Sequence, residues 1–393
     1  MNFGIDAINF YTPGYFLDLK TFAKARGQEV SKFYDDLGQK KMSITPPNED
    51  VVTLAANAVW QLLAGKTEQD ISNIEMVLFA TESGNDISKA AATYIHRLFN
   101  LSKRCRVIEL KQACYSATCG LQLGLAWLRQ NTDKKVLLIG ADIAHYEFGS
   151  VAESSQGSGA VAMLLSANPH LLVIEPEAGF CTREAMDFWR PNYLDCALVD
   201  GRLSCDVYLR LAEETWHQYA NITGRKFTDH DRFCYHVPLA KLVEKAHKKL
   251  ARINGLGNLT SEQYEYQIGN SLIYNQEVGN CYTASLYLSV ISLLENASED
   301  LSDKLIGLYS YGSGSVGEFF AARVVAGYKN WLQQKAHQEM LNARQELTFA
   351  EYESFYSFKI PTDGSLFELP RWRVGKFRIK AFDKHQRIYE KVE

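Results

Sequence analysis

Two segments of this sequence resemble each other, and their likeness restricts the fold more than any other feature does. The segment CYSATCGLQLGLAWL (114–128) is similar to CYTASLYLSVISLL (281–294). Each is followed by an apolar strand and then by a glycine-serine turn, GSGAVAMLL in the first case and GSGSVGEFF in the second. Two apolar helices can match by chance, but the shared order of elements favours an internal duplication. We therefore predict two related halves that divide between residues 170 and 220.

Buried strands alternate with helical patterns along both halves. Short apolar runs predict seven strands, at 76–81, 106–110, 135–144, 159–166, 233–237, 305–311 and 318–325. Their alternation with helices predicts an α/β fold whose sheets are covered on both faces. A chain of 393 residues with 46% hydrophobic content is long enough for two domains or for one large two-part domain.

The segment after about residue 330 carries no motif that we connect with chemistry. It begins with KNWLQQKAHQEMLNARQEL, a charged pattern that predicts a solvent-exposed helix, and it ends with RWRVGKFRIKAFDKHQRIYEK. We expect the last part to dock against the folded body, and we assign it no function.

Charge and composition argue against several classes of protein. The net charge is −4 with acids and bases well mixed, so no basic field indicates a nucleic-acid partner. No apolar run approaches the roughly 20 residues of a membrane span, and the N-terminal segment lacks a basic stretch followed by an apolar one. Eight cysteines without a short CxxC pair indicate reduced thiols rather than disulfides or a zinc site. We therefore expect a cytoplasmic protein without a bound metal.

Cys114 is a candidate nucleophile because it follows a predicted strand and lies near the N-terminus of the next helix. Backbone N–H groups and the helix dipole at such a position favour a thiolate, and the same groups can bind an oxyanion. Cys119 lies more than one turn inside the helix and lacks this advantage. Cys281 occupies the equivalent turn of the second half. From the residues alone Cys114 and Cys281 remain rivals, and a structural role stays open for each thiol.

Two more polar residues lie at the ends of predicted strands. Glu82 follows the first strand, where a carboxyl above an apolar floor has a raised pKa suited to general acid–base work; a helix cap or surface group is the alternative. His236 lies at the end of a strand in the second half, and a structural role is its alternative. Because a pseudo-twofold axis pairs equivalent strand ends, we expect Glu82 opposite His236 and the Cys114 turn opposite the turn at Asn280 and Cys281.

Lys241 and Lys245 are spaced i, i+4 on the helix that follows His236. Two lysines on one helix face are usually solvated, but the pair can equally bind a phosphate. The glycine-rich turns in VGNCY and YSYGSGSVG permit close approach of a ligand to the backbone, although they match no dinucleotide fingerprint and no phosphate-binding loop motif. An anion site near this helix therefore stays open.

Eight motifs along the chain form a specific cluster: ATESGNDISKA, KQACYSATCGLQ, QGSGAVAMLL, DFWRPNY, LVDGRLS, YHVPLAKLVEK, GNCYTASLYLS and YGSGSVGEFF. Together they resemble the 3-hydroxy-3-methylglutaryl-CoA (HMG-CoA) synthase family of the bacterial mevalonate-pathway type, within the thiolase superfamily. The resemblance extends from residue 3 to about 355. It implies a thiolase-like five-layered αβαβα fold built from two pseudo-symmetric halves, 1–170 and 171–393. We recognise no counterpart for the tail after about residue 360.

The resemblance also implies roles for individual residues. Cys114 matches the nucleophile that carries the acetyl group, Glu82 the general acid–base, and His236 the histidine beside acetoacetyl-CoA. Cys119 and Cys281 fall at positions without chemistry and are expected to be packing residues. The remaining matches are contacts of the acyl group, of CoA or of the CoA entrance: Ser155, Ser204, Lys241, Lys245, Asn280 and Ser313.

The reaction implied by the resemblance condenses acetyl-CoA with acetoacetyl-CoA and water to HMG-CoA and CoA, through an acetyl-S-Cys114 intermediate. It belongs to the mevalonate pathway of isoprenoid biosynthesis. It needs neither a metal nor a nicotinamide cofactor, because the two CoA thioesters are substrates. A homodimer is the state expected for the family.

Three alternative functions are set against this interpretation. An acyl-carrier-protein-dependent HMG synthase of polyketide β-branching has the same Cys, Glu and His, although DFWRPNY and the continuous GSGSVGEFF favour the mevalonate type. A β-ketoacyl synthase or a thiolase does not need a carboxylate at the position of Glu82. A non-catalytic binding protein on the same scaffold would fail to become acetylated.

Overall fold

The computed structural model describes residues 1–392, in which strands and helices alternate as the sequence predicts. The strands are β1 (Phe3–Tyr11), β2 (Tyr15–Asp18), β3 (Lys41–Ile44), β4 (Ile74–Ala80), β5 (Arg106–Leu110), β6 (Lys135–Ile143), β7 (Ser158–Ala167), β8 (Leu172–Thr182), β9 (Phe188–Trp189), β10 (Leu198–Val199), β11 (Arg232–Tyr235), β12 (Leu305–Gly312), β13 (Val316–Val324), β14 (Gln345–Glu346), β15 (Phe367–Glu368), β16 (Phe377–Asp383) and β17 (Gln386–Lys391). The α-helices are α1 (Leu19–Arg26), α2 (Ser31–Tyr34), α3 (Val51–Leu63), α4 (Glu68–Ser72), α5 (Ala92–Leu98), α6 (Ser116–Leu128), α7 (Gly201–Thr223), α8 (Ala240–Ile253), α9 (Ser261–Tyr264), α10 (Asn270–Val278), α11 (Ser285–Asn296), α12 (Gln334–Asn342) and α13 (Phe349–Tyr356).

A nine-stranded mixed sheet contains both halves, in the order β11-β12-β13-β8-β1-β7-β6-β4-β5. In the first half β4 is parallel to β5 and β6, and β7 is antiparallel to β6 and β1. The second half repeats this pattern, since β11 is parallel to β12 and β13 is antiparallel to β12 and β8. The half-sheets join where Gly4 and Ile5 pair with Val173 and Leu172. The predicted duplication is confirmed.

The helices form three layers around the two half-sheets. Helices α6 and α11 lie between the half-sheets and share one hydrophobic cluster with both. Helices α3 and α5 cover the outer face of the first half-sheet, and α7 and α8 cover that of the second. Gly120 and Gly124 let α6 approach the sheet closely, because an added Cβ would lie 2.6 Å from Leu138 and 2.8 Å from Leu165. These layers confirm the predicted αβαβα fold.

All seven predicted strands form, but the sequence patterns missed the two long strands at the join, β1 and β8. Asp6 and Asn9 interrupt the apolar run of β1, and Pro176 and Gly179 interrupt that of β8. The halves also differ before their equivalent cysteines. Strand β5 precedes Cys114, whereas helix α10 occupies the corresponding place before Cys281.

The last segment of the chain packs against the first half. Strand β14 pairs with β2, and the sheet β15-β16-β17 places Phe377 and Ile379 on the outer cluster around α3. The predicted docking of the tail is therefore confirmed. The helix expected to be fully solvent-exposed is shorter, α12, and it buries His337 because that side chain pairs with buried Glu295. The predicted division at residues 170 and 171 falls between β7 and β8.

Two expectations from composition concern membranes and thiols. None of the helices within residues 1–392 combines the length and the apolar character that a bilayer span needs. All eight cysteines are free thiols, as the sequence predicts.

Candidate active site

A narrow cavity of about 50 Å³ lies where the two halves meet, beside the ends of β11 and β12. Its lining includes Cys114 from the first half and Ser204, His236, Asn280 and Ser313 from the second. The other lining residues are mostly aromatic or apolar: Tyr146, Phe188, Val199, Tyr208, Pro238, Leu242, Tyr282 and Tyr311. The structure thus brings together five of the predicted site residues around one cavity.

Glu82 lies beside the nucleophile candidate. The Cys114 Sγ donates a hydrogen bond to Glu82 Oε1 at 3.2 Å. Glu82 follows the end of β4, and its backbone is held on both sides: its N–H donates to Asp142 Oδ1 at 2.8 Å, and its carbonyl accepts from Arg190 Nη2 at 2.8 Å. The thiol and the carboxyl are therefore in direct contact before any substrate enters.

Buried Asp142 connects the two halves at this point. Its Oδ1 accepts hydrogen bonds from the hydroxyls of Thr81 and Ser83 as well as from the Glu82 backbone. Its Oδ2 accepts from both the backbone N–H and the hydroxyl of Thr283, which belongs to the second half. Asp142 and Arg190 were not among the residues predicted from the sequence; the signals for them are an acid inside the apolar strand KVLLIGADIA and the arginine of DFWRPNY.

The electrostatic state of Cys114 differs from the prediction. Burial, and then the charge of Glu82, raise the pKa of the Cys114 thiol well above its usual value. Burial, and then the charge of Asp142, raise the pKa of Glu82 to about 8. The thiolate expected at a helix N-terminus was therefore a wrong prediction, because loss of solvent outweighs the helix dipole here. The resting thiol is neutral, and Glu82 is the group placed to accept its proton.

The backbone geometry explains why helix α6 does so little to lower the pKa of Cys114. Helix α6 begins at Ser116, two residues after Cys114. The N–H groups of Tyr115 and Ser116 already donate to the carbonyls of Gln112 and Ala113. The Cys114 N–H faces its own sulfur, where it lowers the thiol pKa slightly. The oxyanion site predicted from several helix N–H groups is thus reduced to the donor at Cys114 itself.

These pKa shifts predict a pH dependence for acylation of Cys114. Glu82 can accept the thiol proton only when it is ionised, so the acylation rate is expected to rise with pH through about 8 and to level off above it. The measurement is the rate of acetyl transfer from acetyl-CoA, followed by intact mass between about pH 6 and 10. In Glu82→Gln the acylation rate is expected to lose this rise with pH, here called the acylation limb. A rate that stays flat through pH 8, or a limb that survives in Glu82→Gln, would contradict the assignment.

His236 is buried in the cavity wall as a neutral imidazole. Burial lowers its pKa to about 3. Its backbone is fixed by Tyr309, whose carbonyl accepts from the His236 N–H at 2.8 Å, and by the Tyr208 hydroxyl, which donates to the His236 carbonyl at 2.8 Å. Its Nδ1 has no hydrogen-bond partner among residues 1–392. An uncharged ring with an unpaired nitrogen is suited to hydrogen bonding a ligand carbonyl or hydroxyl.

Asn280 presents an amide to the same cavity. Its Oδ1 accepts from the Tyr282 N–H and from the Ser285 hydroxyl, each at 3.0 Å. The Asn280 amide nitrogen is then the group that can donate to a ligand. Ser313 also lines the cavity, and its carbonyl accepts from Gln112 Nε2 at 3.3 Å.

Ser155 lies behind the cavity rather than in its wall. Its hydroxyl donates to the Ala152 carbonyl at 2.7 Å, and its own carbonyl accepts from the Asn280 N–H at 3.1 Å. This geometry supports Asn280 through the backbone. The ligand contact implied for the Ser155 hydroxyl stays a prediction.

The two lysines lie at the start of α8, just outside the cavity. Their neighbours Pro238 and Leu242 line the cavity wall. The Lys241 ammonium pairs with Glu244 at 2.7 Å, whereas Lys245 is exposed and has no ion-pair partner among the described residues. The lysine side chains do not line the cavity, so phosphate binding by this pair stays a prediction.

The rival cysteines are placed differently from Cys114. Cys281 is buried outside the cavity wall, with its Sγ 3.5 Å from the Ser285 hydroxyl, and burial raises its pKa to about 12. Cys119 is half-buried inside α6, away from the cavity, and burial raises its pKa as well. Geometry therefore favours Cys114 over both.

Fold and site together define the class: a thiolase-like acyl-transferring enzyme with a cysteine beside a carboxyl. Family models for the N-terminal and C-terminal parts of hydroxymethylglutaryl-coenzyme A synthase match residues 1–170 and 252–359. The chain is 42% identical to the hydroxymethylglutaryl-CoA synthase of Enterococcus faecalis over 363 residues, which are 92% of this chain and 94% of the relative. The chain belongs to the hydroxymethylglutaryl-CoA synthase family.

Two further comparisons bear on the acyl carrier. The crystal structure of an HMG-CoA synthase complexed with CoA superposes with a TM-score of 0.94 at 37% identity, covering 100% of both chains. The polyketide 3-hydroxy-3-methylglutaryl-ACP synthase PksG of Bacillus subtilis is 32% identical over 372 residues, 90% of this chain and 87% of the relative. The hydroxymethylglutaryl-CoA synthase of Enterococcus is thus more similar in sequence to this chain than the ACP synthase PksG is.

Proposed function

We propose that this chain condenses acetyl-CoA with acetoacetyl-CoA and water to give HMG-CoA and CoA in the mevalonate pathway. The observation that carries the proposal is the direct contact between the Cys114 thiol and Glu82 beside a cavity that also contains neutral His236. The similarity to the Enterococcus synthase, and to a synthase structure with bound CoA, supports CoA thioesters as substrates.

Acylation of Cys114 comes first. Glu82 takes the thiol proton, and the sulfur attacks the thioester carbonyl of acetyl-CoA. The Cys114 N–H, which faces the attacking sulfur in the resting protein, is the backbone donor nearest to the negative oxygen that forms in the tetrahedral intermediate. When that intermediate collapses, the carbon–sulfur bond to CoA breaks and protonated Glu82 returns its proton to the departing CoA thiolate. Glu82 is then ionised again and lies beside the acetyl group.

Condensation uses the same carboxylate a second time. Glu82 removes a proton from the methyl group of acetyl-S-Cys114, and the enolate attacks the ketone of acetoacetyl-CoA. His236 and the Asn280 amide orient the acetoacetyl group by hydrogen bonds. Protonated Glu82 then protonates the new alkoxide, and water hydrolyses the enzyme thioester to release HMG-CoA and Cys114. No step changes an oxidation state, so the proposal needs no nicotinamide, and it assigns every proton transfer to Glu82 rather than to a metal-bound group.

The intact mass of the protein tests this proposal. Acetyl-CoA alone is expected to add one acetyl group, and acetoacetyl-CoA supplied afterwards is expected to remove it with formation of HMG-CoA. Addition of the acetyl group without HMG-CoA formation would favour a β-ketoacyl synthase or thiolase reaction. Failure to become acetylated by any thioester would favour a binding protein without catalysis.

A carrier-protein substrate is the second candidate, and the similarity to PksG is the observation that favours it. The test compares two acceptors of the acetyl group: acetoacetyl-CoA and acetoacetyl carrier protein are offered to the same acetylated enzyme. We expect turnover of the CoA thioester. Turnover confined to the carrier-protein thioester would establish polyketide β-branching instead.

Lys245 is expected to contribute more to CoA binding than Lys241 does, because Glu244 already neutralises Lys241. Lys245→Ala is expected to raise the KM for both CoA substrates about tenfold at low salt, as for loss of one charge-assisted phosphate contact. Acylation by acetyl-pantetheine, which lacks the nucleotide phosphates, is expected to stay unchanged. Lys248→Ala is the matched control, since Lys248 lies on the same helix and also pairs with Glu244. An unchanged KM in Lys245→Ala would indicate a solvated surface lysine.

Assembly and location complete the proposal. The edge strand β5 exposes half of Ile108, and such an edge is suited to pairing with a second copy in a homodimer. Eight free thiols fit a reducing compartment, which supports a cytoplasmic location.

A further inference from the structure

The C-terminal hairpin, formed by β16 and β17, contacts the loop that carries Glu82. This loop, residues 81–91 and here called the Glu82 loop, runs from the end of β4 towards α5. The contact is made at Asn85, three residues after Glu82. Arg387 and Tyr389 of the hairpin both take part. Neither residue has a role in the proposed chemistry.

Asn85 is bound through its side chain and its backbone. Its Nδ2 donates to Asp50 Oδ2 at 2.7 Å and lies 3.3 Å from the Tyr389 hydroxyl oxygen. Its carbonyl accepts from Arg387 Nη1 at 3.2 Å. The Tyr389 hydroxyl in turn donates to Asp50 Oδ2 at 2.7 Å. One carboxylate oxygen therefore joins the loop to the hairpin.

Several hydrogen bonds and an ion pair hold the Asp50 side chain in place. It is the N-cap of α3, and its Oδ1 accepts the backbone N–H groups of Val52 and Thr53 at 3.0 and 3.1 Å. The Arg387 guanidinium lies 3.4 Å from its other oxygen and supplies the compensating charge. A buried carboxylate with a cation and several donors is held firmly in place.

The hairpin is equally well anchored to the body of the protein. Phe377 exchanges two backbone hydrogen bonds with the Asn57 side chain, and the Ile379 N–H donates to the Asn48 carbonyl at 2.8 Å. The Tyr389 ring packs in the outer hydrophobic cluster, edge-on to Tyr94. The hairpin thus provides a rigid support rather than a loose end.

The hairpin contacts the part of the Glu82 loop that lies beyond the bonds from Glu82 to Asp142 and Arg190. The middle of the loop is exposed, at Gly84 and again from Asp86 to Lys89. Near Glu82 the Ser83 hydroxyl is bound to Asp142, and at the far end the Ala91 N–H donates to Glu109. Between these two ends, the Asn85 side chain and carbonyl bind Asp50, Tyr389 and Arg387.

We propose that the C-terminal hairpin is a positioning element for catalysis, in which Arg387 and Tyr389 hold Asn85 and thereby keep the Glu82 carboxyl against Cys114. The inference rests on the proposed function, in which Glu82 transfers protons. A proton-transferring group displaced by about 1 Å can lose up to about a hundredfold in rate. The tail would then act on the rate of the chemical steps and not on substrate binding.

Tyr389→Phe tests the inference, because it removes the hydroxyl and keeps the buried ring. We expect kcat for HMG-CoA formation to fall about tenfold or more, while the KM values for both CoA substrates change by less than about twofold. The acylation limb near pH 8 is expected to shift, since Glu82 is displaced. Gln386→Ala is the matched control: Gln386 is exposed on the same hairpin, has no hydrogen bond to the Glu82 loop, and should leave kcat unchanged.

Asn85→Ala removes the same contact from the side of the Glu82 loop and leaves the hairpin sequence unchanged. The test therefore does not depend on the stability of a mutated hairpin. If the hairpin acts through Asn85, the double variant Asn85→Ala/Tyr389→Phe is expected to be no slower than the slower single variant. Losses that multiply, or a wild-type kcat in Tyr389→Phe with only a lower melting temperature, would overturn the inference and leave the proposed function intact. A wild-type protein that makes no HMG-CoA would overturn the proposed function, and the role of the hairpin with it.

Discussion

Cys114→Ala is expected to abolish both the acetyl adduct and the formation of HMG-CoA. Cys114 is the thiol in the cavity wall and the one in contact with Glu82, so its loss removes the atom to which the acetyl group would be attached. A missing nucleophile cannot be replaced by alanine, and the residual rate is expected to fall to the background of the assay. Intact mass after incubation with acetyl-CoA is the measurement.

Cys281→Ala and Cys119→Ala are the controls for this experiment. Both thiols lie outside the cavity wall and lack the contact with Glu82, so each variant is expected to keep a full adduct. An adduct that persists in Cys114→Ala and disappears in Cys281→Ala would move the chemistry to the second half of the duplication. That outcome would contradict the geometry, in which the Cys281 sulfur is buried in the central hydrophobic cluster beside the Ser285 hydroxyl.

The fold could be predicted from the sequence because both halves of the duplication have the same order of helix, strand and glycine-serine turn. Apolar runs located seven strands of the large sheet, including β4 and β11, which lead to Glu82 and His236. They failed for β1, where Asp6 is buried because it pairs with Lys135 from β6. That pair joins residues far apart in the chain, and no local pattern contains it.

Six of the predicted site residues, Glu82, Cys114, Ser204, His236, Asn280 and Ser313, meet at the cavity, but their electrostatics could not be predicted from the sequence. A helix N-terminus indicated a thiolate at Cys114, whereas the folded protein surrounds this thiol with apolar walls and one carboxyl. The degree of burial depends on Tyr146 and Tyr282, aromatic residues from both halves that meet only after folding. The tail contacts at Asn85 were missed for the same reason, since Arg387 lies about three hundred residues further along the chain.

Glu82→Ala is expected to separate the two halves of the reaction. Burial still raises the pKa of Cys114 in this variant, but the charge of Glu82 no longer adds to it; we expect the acetyl adduct to form, more slowly than in the wild type because the proton acceptor is gone. Condensation is affected far more, because the methyl proton of the acetyl group needs a base in contact with the adduct. Loss of a general base costs about 10² to 10⁴ in rate, and Glu82 is used twice.

The experiment first loads Glu82→Ala with acetyl-CoA until the adduct is complete, and then adds acetoacetyl-CoA. We expect a stable adduct and at least a thousandfold less HMG-CoA per unit time than the wild type forms, at the upper end of the loss for one base. Asp86→Asn is the matched control, because Asp86 is an exposed carboxyl on the same loop and lacks contact with Cys114. Normal turnover in Glu82→Ala would remove the carboxylate from the mechanism. It would also remove the residue that best separates this enzyme from a β-ketoacyl synthase, since the cysteine and the histidine alone are compatible with either reaction.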